Sequence, residues 1–312
     1  MYHDFTGGSD DSGNLPAGYG KLTKGQFEAH LKSIKNNFRP ISVEEAIKEI
    51  RYGGGLKENS VAITFDDGYL PVYEIAFPLL KKYGLSATIY LPTDWIDGKI
   101  TLWWEDLADI IFGFDVGAIN RAVLAKIVKE LTVELPGDLT NDRKSKEIFL
   151  QVISHELMKT SDERRKKIMG DLKATLLGNS TYKRTEVKPV NWAQIGEMAG
   201  AGIMFGAHTC SHLNLSHADL DTARDEIVRS KNEIESRLDK KISGFAFPYG
   251  YDVSGYARFE TLLQELGFEY ACTSWWGNNN NESNPFLLYR NTISPLQSPS
   301  LLGRELCLAL SE

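Results

Sequence analysis

The 312-residue chain has little cysteine and no long apolar run, and both shortages narrow the possible function classes. Its three cysteines, an odd number, are too few for a disulfide scaffold and indicate reduced thiols. No stretch of about 18 uninterrupted apolar residues exists, so the sequence predicts no membrane span. Positive charge is also in the minority, with 35 Lys and Arg against 42 Asp and Glu. This acidic balance argues against a nucleic acid as the main partner, because phosphate binding needs a concentrated positive surface.

The N-terminal residues predict a protein that acts in the cytoplasm. The segment 1–14 carries acids where a signal peptide needs a basic region followed by an apolar stretch. The alternative is an exported protein whose export segment is absent from this sequence. Reduced thiols favour the cytoplasmic interpretation.

The rest of the chain predicts an α/β fold. Short apolar runs alternate with helical patterns, which indicates parallel strands joined by helical crossovers. The predicted strands span residues 60–65, 87–91, 203–207, 245–247, 270–274 and 286–289, and the main helices span 24–37, 73–83, 192–199, 220–238 and 257–266. Several successive helical patterns break this rhythm between about 101 and 185. We therefore predict a distorted (β/α) barrel of about seven strands, in a single domain of residues 1–312 with a helical insertion.

Polar clusters follow four of the apolar runs directly, at the point where each predicted strand ends. They read DDGY after SVAITF, HTCSH after IMFGA, PYG after GFAF and WWG after YACTS. In a barrel of parallel strands, the carboxyl ends of the strands form the mouth where active sites lie. Residues that only form turns between elements would not be expected to include Asp, His and Tyr at that edge so often. We therefore predict an active site there.

Two adjacent carboxylates, Asp66 and Asp67, begin the first cluster. They repel each other, and burying both would push one toward protonation. A divalent cation resolves this conflict, because one carboxylate becomes a ligand and the other stays free as a base. Gly68 permits the sharp turn that lets both face the mouth. A turn without chemistry is the alternative explanation, since Asp-Gly is a common turn dipeptide.

Two histidines, His208 and His212, lie four residues apart in the second cluster. They share a face if the segment is helical, and they converge equally well from a tight loop. Two neutral imidazoles and one carboxylate form a ligand set that leaves coordination positions open for water and substrate. A pair of this spacing is often only helix surface. Its place after a strand, in a chain with the two aspartates, favours a metal site.

Together these motifs resemble those of the polysaccharide deacetylase family, a group of metal-dependent carbohydrate esterases. The family motif T-F-D-D-G is present unchanged at residues 64–68, and H-[ST]-x-[ST]-H is matched at 208–212. A third motif usually ends in P-Y-G, which stands here at 248–250. The resemblance runs from about residue 2 to residue 293 and implies one deacetylase-like catalytic domain, interrupted by the insertion.

The resemblance implies a role for each site residue. Asp67, His208 and His212 would hold the metal, with Zn²⁺ as the expected ion. Asp66 would be the general base that deprotonates the attacking water, while the metal polarises the acetamide carbonyl. The backbone N–H of Tyr249 would hold the oxyanion, an interaction typically worth ~3 kcal/mol per donor. The implied reaction removes N-acetyl groups from an N-acetylated sugar, glycan or glycan precursor.

Two departures from the family pattern concern the base and the acid. Many members carry an arginine in the third motif that pairs with the base, whereas residues 245–247 here are Phe-Ala-Phe. Many also have a C-terminal histidine as general acid, whereas no histidine follows His217. The opening Met-Tyr-His-Asp resembles the circularly permuted subgroup that includes bacterial poly-N-acetylglucosamine deacetylases. On that resemblance, His3 donates the proton.

Two alternatives keep the fold and change the function. The two departures favour a catalytically silent glycan-binding module. Related sequences act on cyclic amides without needing the metal, which leaves open a hydrolase of another carbon–nitrogen bond. The intact residues Asp67, His208 and His212 argue against that second alternative.

Aromatic residues near predicted strand ends fit sugar recognition, since a flat ring can stack on a pyranose face. The candidates are Tyr69, Trp103 with Trp104, and Trp275 with Trp276. Core packing explains at least one ring of each pair equally well.

Overall fold

The computed structural model describes residues 1–6, 21–134, 136–137, 139–177 and 187–293. These residues form two compact units that alternate along the chain. The first unit extends to Ile100 and resumes at Lys188, and the second is Thr101–Val187. The second unit begins at Thr101, where the sequence predicts that the helical insertion begins. That both units belong to one domain stays a prediction.

The helices and strands follow one another in the order that the sequence predicts. In chain order the helices are α1 (Lys24–Asn37), α2 (Val43–Tyr52), α3 (Phe77–Tyr83), α4 (Thr93–Ile96), α5 (Trp103–Gly113), α6 (Arg121–Lys129), α7 (Arg143–Met158), α8 (Asp162–Leu176), α9 (Trp192–Gly200), α10 (Leu220–Leu238), α11 (Val253–Tyr256) and α12 (Glu260–Glu265). The strands are β1 (Phe5–Thr6), β2 (Leu22–Thr23), β3 (Arg39–Pro40), β4 (Ser60–Val61), β5 (Thr64–Asp66), β6 (Thr88–Leu91), β7 (Met204–Ala207), β8 (Gly244–Ala246) and β9 (Tyr270–Cys272). None of the helices in the described part of the chain is long and apolar enough to cross a membrane.

Five parallel strands, β5 to β9, form one sheet in sequence order, as the alternation of strands and helices predicts. The remaining strands form two parallel pairs, β1 with β2 and β3 with β4. The predicted strand at 60–65 therefore divides, because its first part pairs with β3 and only its second part joins the large sheet. Residues at the ends of β5, β7, β8 and β9 consequently meet at one edge.

Two extended segments continue the sheet into a ring. The N-terminal segment lies beside β5, where Tyr2 forms a parallel bridge with Phe65. At the opposite edge, Leu288 forms a parallel bridge with β9, which is all that remains of the predicted strand 286–289. The two segments meet where the Ile293 N–H donates to the Met1 carbonyl oxygen over 3.0 Å. With these two segments, the ring agrees with the prediction of a distorted barrel of about seven strands.

Two tyrosines fill the barrel interior. Tyr90 of β6 and Tyr270 of β9 are completely buried. Each faces a glycine on a paired strand: a Cβ on Gly206 would stand 2.5 Å from the Tyr90 ring, and a Cβ on Gly244 would stand 2.3 Å from the Tyr270 hydroxyl. The two rings occupy the space that side chains at Gly206 and Gly244 would otherwise take, and their hydroxyl groups lie 3.4 Å apart.

The second unit has its own apolar core. Its four helices, α5 to α8, contribute buried faces that include Leu107, Leu124, Phe149, Ile153 and Ile168. A helix with one apolar stripe must bury it against another element, and four such stripes enclose a common core.

Candidate active site

Three predicted metal ligands converge at the ends of β5 and β7. Asp67 Oδ1 lies 3.8 Å from Nε2 of His208 and 3.4 Å from Nε2 of His212, and all three side chains are buried. One ligand atom of each residue lies within 4.8 Å of the others. Ligands about 2.0–2.2 Å from a tetrahedral cation stand about 3.3–3.6 Å apart, which is close to the two separations from Asp67 Oδ1. Two imidazole nitrogens and one carboxylate oxygen are also a donor set that Zn²⁺ takes in catalytic sites.

The hydrogen bond of His208 fixes which ring nitrogen faces the other ligands. Nδ1 of His208 lies 2.8 Å from the carbonyl oxygen of Ala246. A carbonyl oxygen only accepts, so Nδ1 donates and Nε2 keeps its lone pair for a metal. Burial lowers the pKa of His208, which keeps the imidazole neutral, as metal binding requires.

Left-handed backbone conformations bring the ligands to the mouth. Asp67 has a φ of 68° and His212 has a φ of 56°, which non-glycine residues rarely adopt. Gly68, with a φ of 66°, completes the turn, and a Cβ there would stand 2.7 Å from Leu91 Cδ2. Such strain is typical of functional sites, where the surrounding structure enforces it. The positive φ angles of Asp67 and Gly68 produce the sharp turn of the Asp-Asp-Gly segment after β5.

One carboxylate on α10 holds the loop between the two histidines. Glu226 accepts from the backbone N–H of Cys210 and of Ser211, each over 2.9 Å, and from the Ser211 hydroxyl over 2.9 Å. Glu226 therefore fixes the backbone from which both imidazoles project, and sequence reasoning missed it.

We expect Glu226→Ala to lower the affinity for Zn²⁺ by about 10–100-fold, because residues that orient metal ligands have effects of that size. Asp225→Ala is the matched control, since Asp225 is an exposed neighbour on the same helix. Competition with a chromogenic chelator measures both affinities. Equal affinities in the two variants would show that Glu226 does not support the ligand loop.

The second aspartate, Asp66, lies beside the ligand cluster and is held by an arginine. Arg290 Nη1 and Nη2 donate to the two carboxylate oxygens of Asp66, each over 2.7 Å, and both side chains are buried. Nε of Arg290 donates to the Thr273 carbonyl oxygen over 2.7 Å, and the guanidinium lies 5.4 Å from the centre of the Tyr90 ring. Burial acts to raise the pKa of Asp66, but the charge of Arg290, the nearby imidazoles and the hydrogen bonds from Arg290 together outweigh it, and the pKa is strongly lowered.

His3 is close enough to Asp66 for the charge of the carboxylate to act on the pKa of the imidazole. Burial of the imidazole lowers the pKa of His3 to about 4. The charge of Asp66 opposes this shift, and the charges of Arg290 and of the N-terminal amine reinforce it. The imidazole is therefore neutral at pH 7, and its role as the acid stays a prediction.

The Pro-Tyr-Gly turn, residues 248–250, contacts the ligand cluster at His212. The ring of Tyr249 contacts the ring of His212, with centroids 4.9 Å apart and planes at 77°. Tyr249 has a φ of 64° and Gly250 a φ of 67°. The Tyr249 ring thus lies against His212, a candidate metal ligand, and the role of the Tyr249 N–H as oxyanion donor stays a prediction.

Comparison with known proteins identifies the family. The model of the polysaccharide deacetylase domain matches residues 53–131 and 169–271, which together exceed half of the chain. The chain belongs to the polysaccharide deacetylase family. The matched ranges of this polysaccharide deacetylase contain the three ligands, Asp66 and the Pro-Tyr-Gly turn, whereas His3 and Arg290 lie outside them.

Relatives of this polysaccharide deacetylase match parts of its chain. YxkH of Bacillus subtilis, named as a polysaccharide deacetylase, is 36% identical over 111 residues, which are 35% of this chain and 37% of YxkH. The poly-β-1,6-N-acetyl-D-glucosamine N-deacetylase of Staphylococcus aureus is 32% identical over 72 residues, 23% of this chain and 25% of that protein. The matched stretches thus span well under half of each relative.

A solved structure supports the fold over the whole chain. The deacetylase PplD of Streptococcus pyogenes, solved in complex with acetate, has a TM-score of 0.62 and 18% identity, and the match covers 98% of this chain and 96% of PplD. At this identity the likeness concerns the fold, and it confirms the predicted distorted barrel.

One expectation about this polysaccharide deacetylase concerned an arginine partner for Asp66, and the position of Arg290 overturns it. The sequence predicts a base without an arginine partner, because residues 245–247 lack one, and that prediction is wrong. The arginine comes from the segment that follows β9 instead, and it reaches Asp66 across the barrel mouth.

The aromatic candidates divide into buried and exposed rings. Tyr69 is 3% exposed and packs edge-on against Trp95, so it belongs to the core. Trp103 and Trp104 contact each other in the second unit, with ring centroids 5.6 Å apart. Trp275 and Trp276 are 50% and 53% exposed at the end of β9.

Proposed function

We propose that the protein is a metal-dependent hydrolase that removes N-acetyl groups from an N-acetylated glycan. The observation that carries this proposal is the convergence of Asp67, His208 and His212 beside a separate, arginine-paired carboxylate, Asp66. Membership of the polysaccharide deacetylase family and the name of the Staphylococcus aureus relative support the choice of a carbohydrate substrate.

The ligand set fits a divalent cation, and Zn²⁺ is the ion we propose. Asp67 Oδ1 and Nε2 of His208 and of His212 would hold it. When bound, the cation supplies a positive charge that polarises the acetamide carbonyl and acidifies a water molecule. The protein keeps the His208 imidazole neutral and its Nε2 free of a proton, which is the state that binds metal.

The remaining steps belong to the side chains and the backbone. Asp66 accepts a proton from the attacking water, and Arg290 holds the carboxylate in a fixed orientation for this transfer. The Tyr249 N–H donates to the developing oxyanion. The nitrogen takes up one proton as the carbon–nitrogen bond breaks, which yields a free amine and acetic acid, and the acid then loses its remaining proton to solvent as acetate. We assign the donation to the nitrogen to the His3 imidazole, which receives the proton that Asp66 gained.

We expect His3→Ala to lower kcat by about 100-fold without a matching change in KM, because loss of a general acid slows only the step that needs it. His155→Ala is the control, since His155 lies in α7 of the second unit. Steady-state acetate release gives both constants. A kcat equal to that of the control would remove His3 from the mechanism.

The catalytically silent module is less well supported than the hydrolase. Two departures from the family pattern favour the silent module: the third motif lacks the arginine that pairs with the base, and the C-terminal histidine that acts as general acid is missing. Arg290 is an arginine partner for Asp66, and the charge of Asp66 acts on the pKa of His3. Both arguments for a catalytically silent module are therefore weaker than the sequence alone suggests.

Acetate release from N-acetylglucosamine oligosaccharides tests the proposed function. Protein stripped with a chelator should release no acetate, and added Zn²⁺ or Co²⁺ should restore the release. Release that survives both chelation and Asp66→Asn would contradict the mechanism.

A further inference from the structure

The proposed metal ligands come from two loops, and a different segment of the chain supports each loop. His208 and His212 lie on the loop after β7, and Asp67 lies on the loop after β5. A cation binds well only when its ligands lie within about 0.2 Å of their proper distances, so the separation of the two loops decides whether all three can bind it. The strand ends fix the edge of the sheet at which the loops lie, and contacts beyond the strands must supply the finer adjustment.

The segment that follows β6 supports the histidine loop. The N–H of His208 donates to the carbonyl oxygen of Leu91 over 3.2 Å. At the start of α4, the N–H of Asp94 donates to the carbonyl oxygen of Cys210 over 2.9 Å. Because Cys210 lies between the two imidazole ligands in the sequence, these hydrogen bonds attach the histidine loop to α4.

The segment that leads into α9 supports the aspartate loop. The N–H of Val190 donates to the carbonyl oxygen of Gly68 over 2.8 Å, and the N–H of Leu70 donates to the carbonyl oxygen of Lys188 over 2.9 Å. A Cβ on Gly68 would stand 3.4 Å from Cγ2 of Val190, so the turn and this segment are also in close contact. Gly68 directly follows Asp67, and the turn that carries this ligand is therefore attached to the segment before α9.

One hydrogen bond joins the two supporting segments to each other. The indole N–H of Trp192, the first residue of α9, donates over 2.8 Å to Oδ1 of Asp97, which directly follows α4. The two residues are 95 positions apart in the sequence, and the second unit, Thr101–Val187, lies between them in the chain. A connection of this length does not by itself fix the separation of its ends, whereas a direct hydrogen bond does.

Charged side chains strengthen this hydrogen bond at both ends. Nζ of Lys99 lies 2.8 Å from Oδ2 of Asp97, and the guanidinium of Arg237 lies 5.3 Å from the centre of the Trp192 ring. Burial acts to raise the pKa of Asp97, but the hydrogen bonds from Lys99 and Trp192 and the charges of Lys99 and Arg237 together lower it. Asp97 is therefore an ionised acceptor, and hydrogen bonds to ionised groups are roughly twice as strong as neutral ones.

We propose that Asp97 and Trp192 are positioning residues of the metal site, because their hydrogen bond sets the separation between the aspartate loop and the histidine loop. This inference rests on the proposed function, in which the three ligands hold a cation together. Asp97 acts on the histidine loop through α4, and Trp192 acts on the aspartate loop through the segment before α9. Without this hydrogen bond, each loop keeps its own support, but the two sets of ligands are less well matched to one cation.

The Zn²⁺ affinity of variants that remove the hydrogen bond from opposite ends tests this role. Trp192→Phe and Asp97→Ala should each raise the Kd for Zn²⁺ about tenfold, at the low end of the effects of residues that orient metal ligands. The double variant should also lose about tenfold, not about 100-fold, because both changes remove the same contact. Asp97→Asn should keep most of the affinity, since its amide oxygen still accepts from the indole.

Tyr83→Phe is the matched control for these variants. It removes one hydrogen bond from an aromatic side chain to a carboxylate, since the Tyr83 hydroxyl donates to Glu28 over 2.7 Å at the end of α3. Competition with a chromogenic chelator measures each Kd, and far-UV circular dichroism shows that each variant is folded. A variant whose fold alone is weakened would bind Zn²⁺ as the control does.

Hydrogen exchange of the metal-free protein tests the same role without a cation. Exposed backbone that has lost a support opens more often and exchanges its amide hydrogens faster. Peptides that cover residues 66–70 and 208–213 should therefore exchange faster in Trp192→Phe and in Asp97→Ala than in Tyr83→Phe. Exchange equal to that of the control in both peptides would overturn the positioning role, whatever the metal content of the protein.

The outcomes separate the positioning role from the proposed function. If wild-type protein binds no Zn²⁺ and both peptides still exchange faster in the two variants, the positioning role stands and the metal-dependent hydrolase fails. If wild-type protein binds Zn²⁺ and releases acetate while the variants match the control in Kd, the hydrolase stands and the positioning role is wrong. Losses of affinity that simply add in the double variant would also contradict the positioning role, because the two side chains would then act separately.

Discussion

Asp66→Asn is expected to lower kcat for acetate release by about 100-fold or more while the protein keeps its Zn²⁺. The amide cannot accept the proton of the attacking water, and loss of general-base catalysis has an effect of this size. The three proposed ligands are unchanged in this variant, so metal binding should persist. Metal content by mass spectrometry and acetate release on the same sample measure both quantities.

Asp221→Asn makes the same chemical change at an exposed position on α10 and should leave kcat unchanged. A variant at Asp66 that keeps full activity would show that another group activates water. A variant that loses its Zn²⁺ would show instead that Asp66 is a ligand. The assignment of Asp66 as the base and Asp67 as the ligand would then be wrong.

Arg290→Met is expected to lower the free energy of unfolding by about 3–5 kcal/mol, because it leaves the carboxylate of Asp66 buried without its charge partner. Both nitrogens of the guanidinium bind that carboxylate, and both side chains are buried. Adding Asp66→Asn should recover part of the loss, since the unpaired group is then neutral. Urea unfolding of the single and double variants measures the coupling between the two side chains.

Arg224→Met is the matched control, since Arg224 forms an exposed ion pair with Glu265 over 2.9 Å. An exposed pair of this kind contributes about 0–1 kcal/mol. If the two arginine variants lose the same free energy, the buried pair is not the stabilising contact that its geometry indicates.

The sequence predicts that Asp67, His208 and His212 lie together, because each belongs to a short motif after an apolar run. Asp67 follows β5 and His208 follows β7, so the parallel order of the strands brings them to the same edge. The same reasoning places the Pro-Tyr-Gly turn after β8. Local spacing and strand direction together are sufficient for these residues.

The partners of the motifs are harder to predict because they come from distant segments. Arg290 lies 224 residues from Asp66 along the chain and belongs to no motif. Its position directly after the apolar run 286–289 is the signal that was available, since the other clusters also follow such runs. Glu226 lies inside α10, where a single carboxylate looks like any other polar residue of a helix.

The strand lengths show a second limit. The run at 60–65 has one continuous apolar pattern, yet only Thr64–Asp66 joins the large sheet, because β4 pairs with β3. The segment at 286–289 keeps only a bridge at Leu288. Apolar patterning predicts burial at these positions, while hydrogen-bonded pairing depends on neighbours that the pattern does not contain.

The measurement that tests the metal site most directly is the Zn²⁺ stoichiometry of the wild-type protein and of a variant carrying both His208→Ala and His212→Ala, with acetate release followed in parallel. We expect one Zn²⁺ per wild-type chain, none in the variant, and acetate release only where Zn²⁺ is bound. Full Zn²⁺ occupancy in the variant, or undiminished acetate release from metal-free wild-type protein, would contradict the assignment.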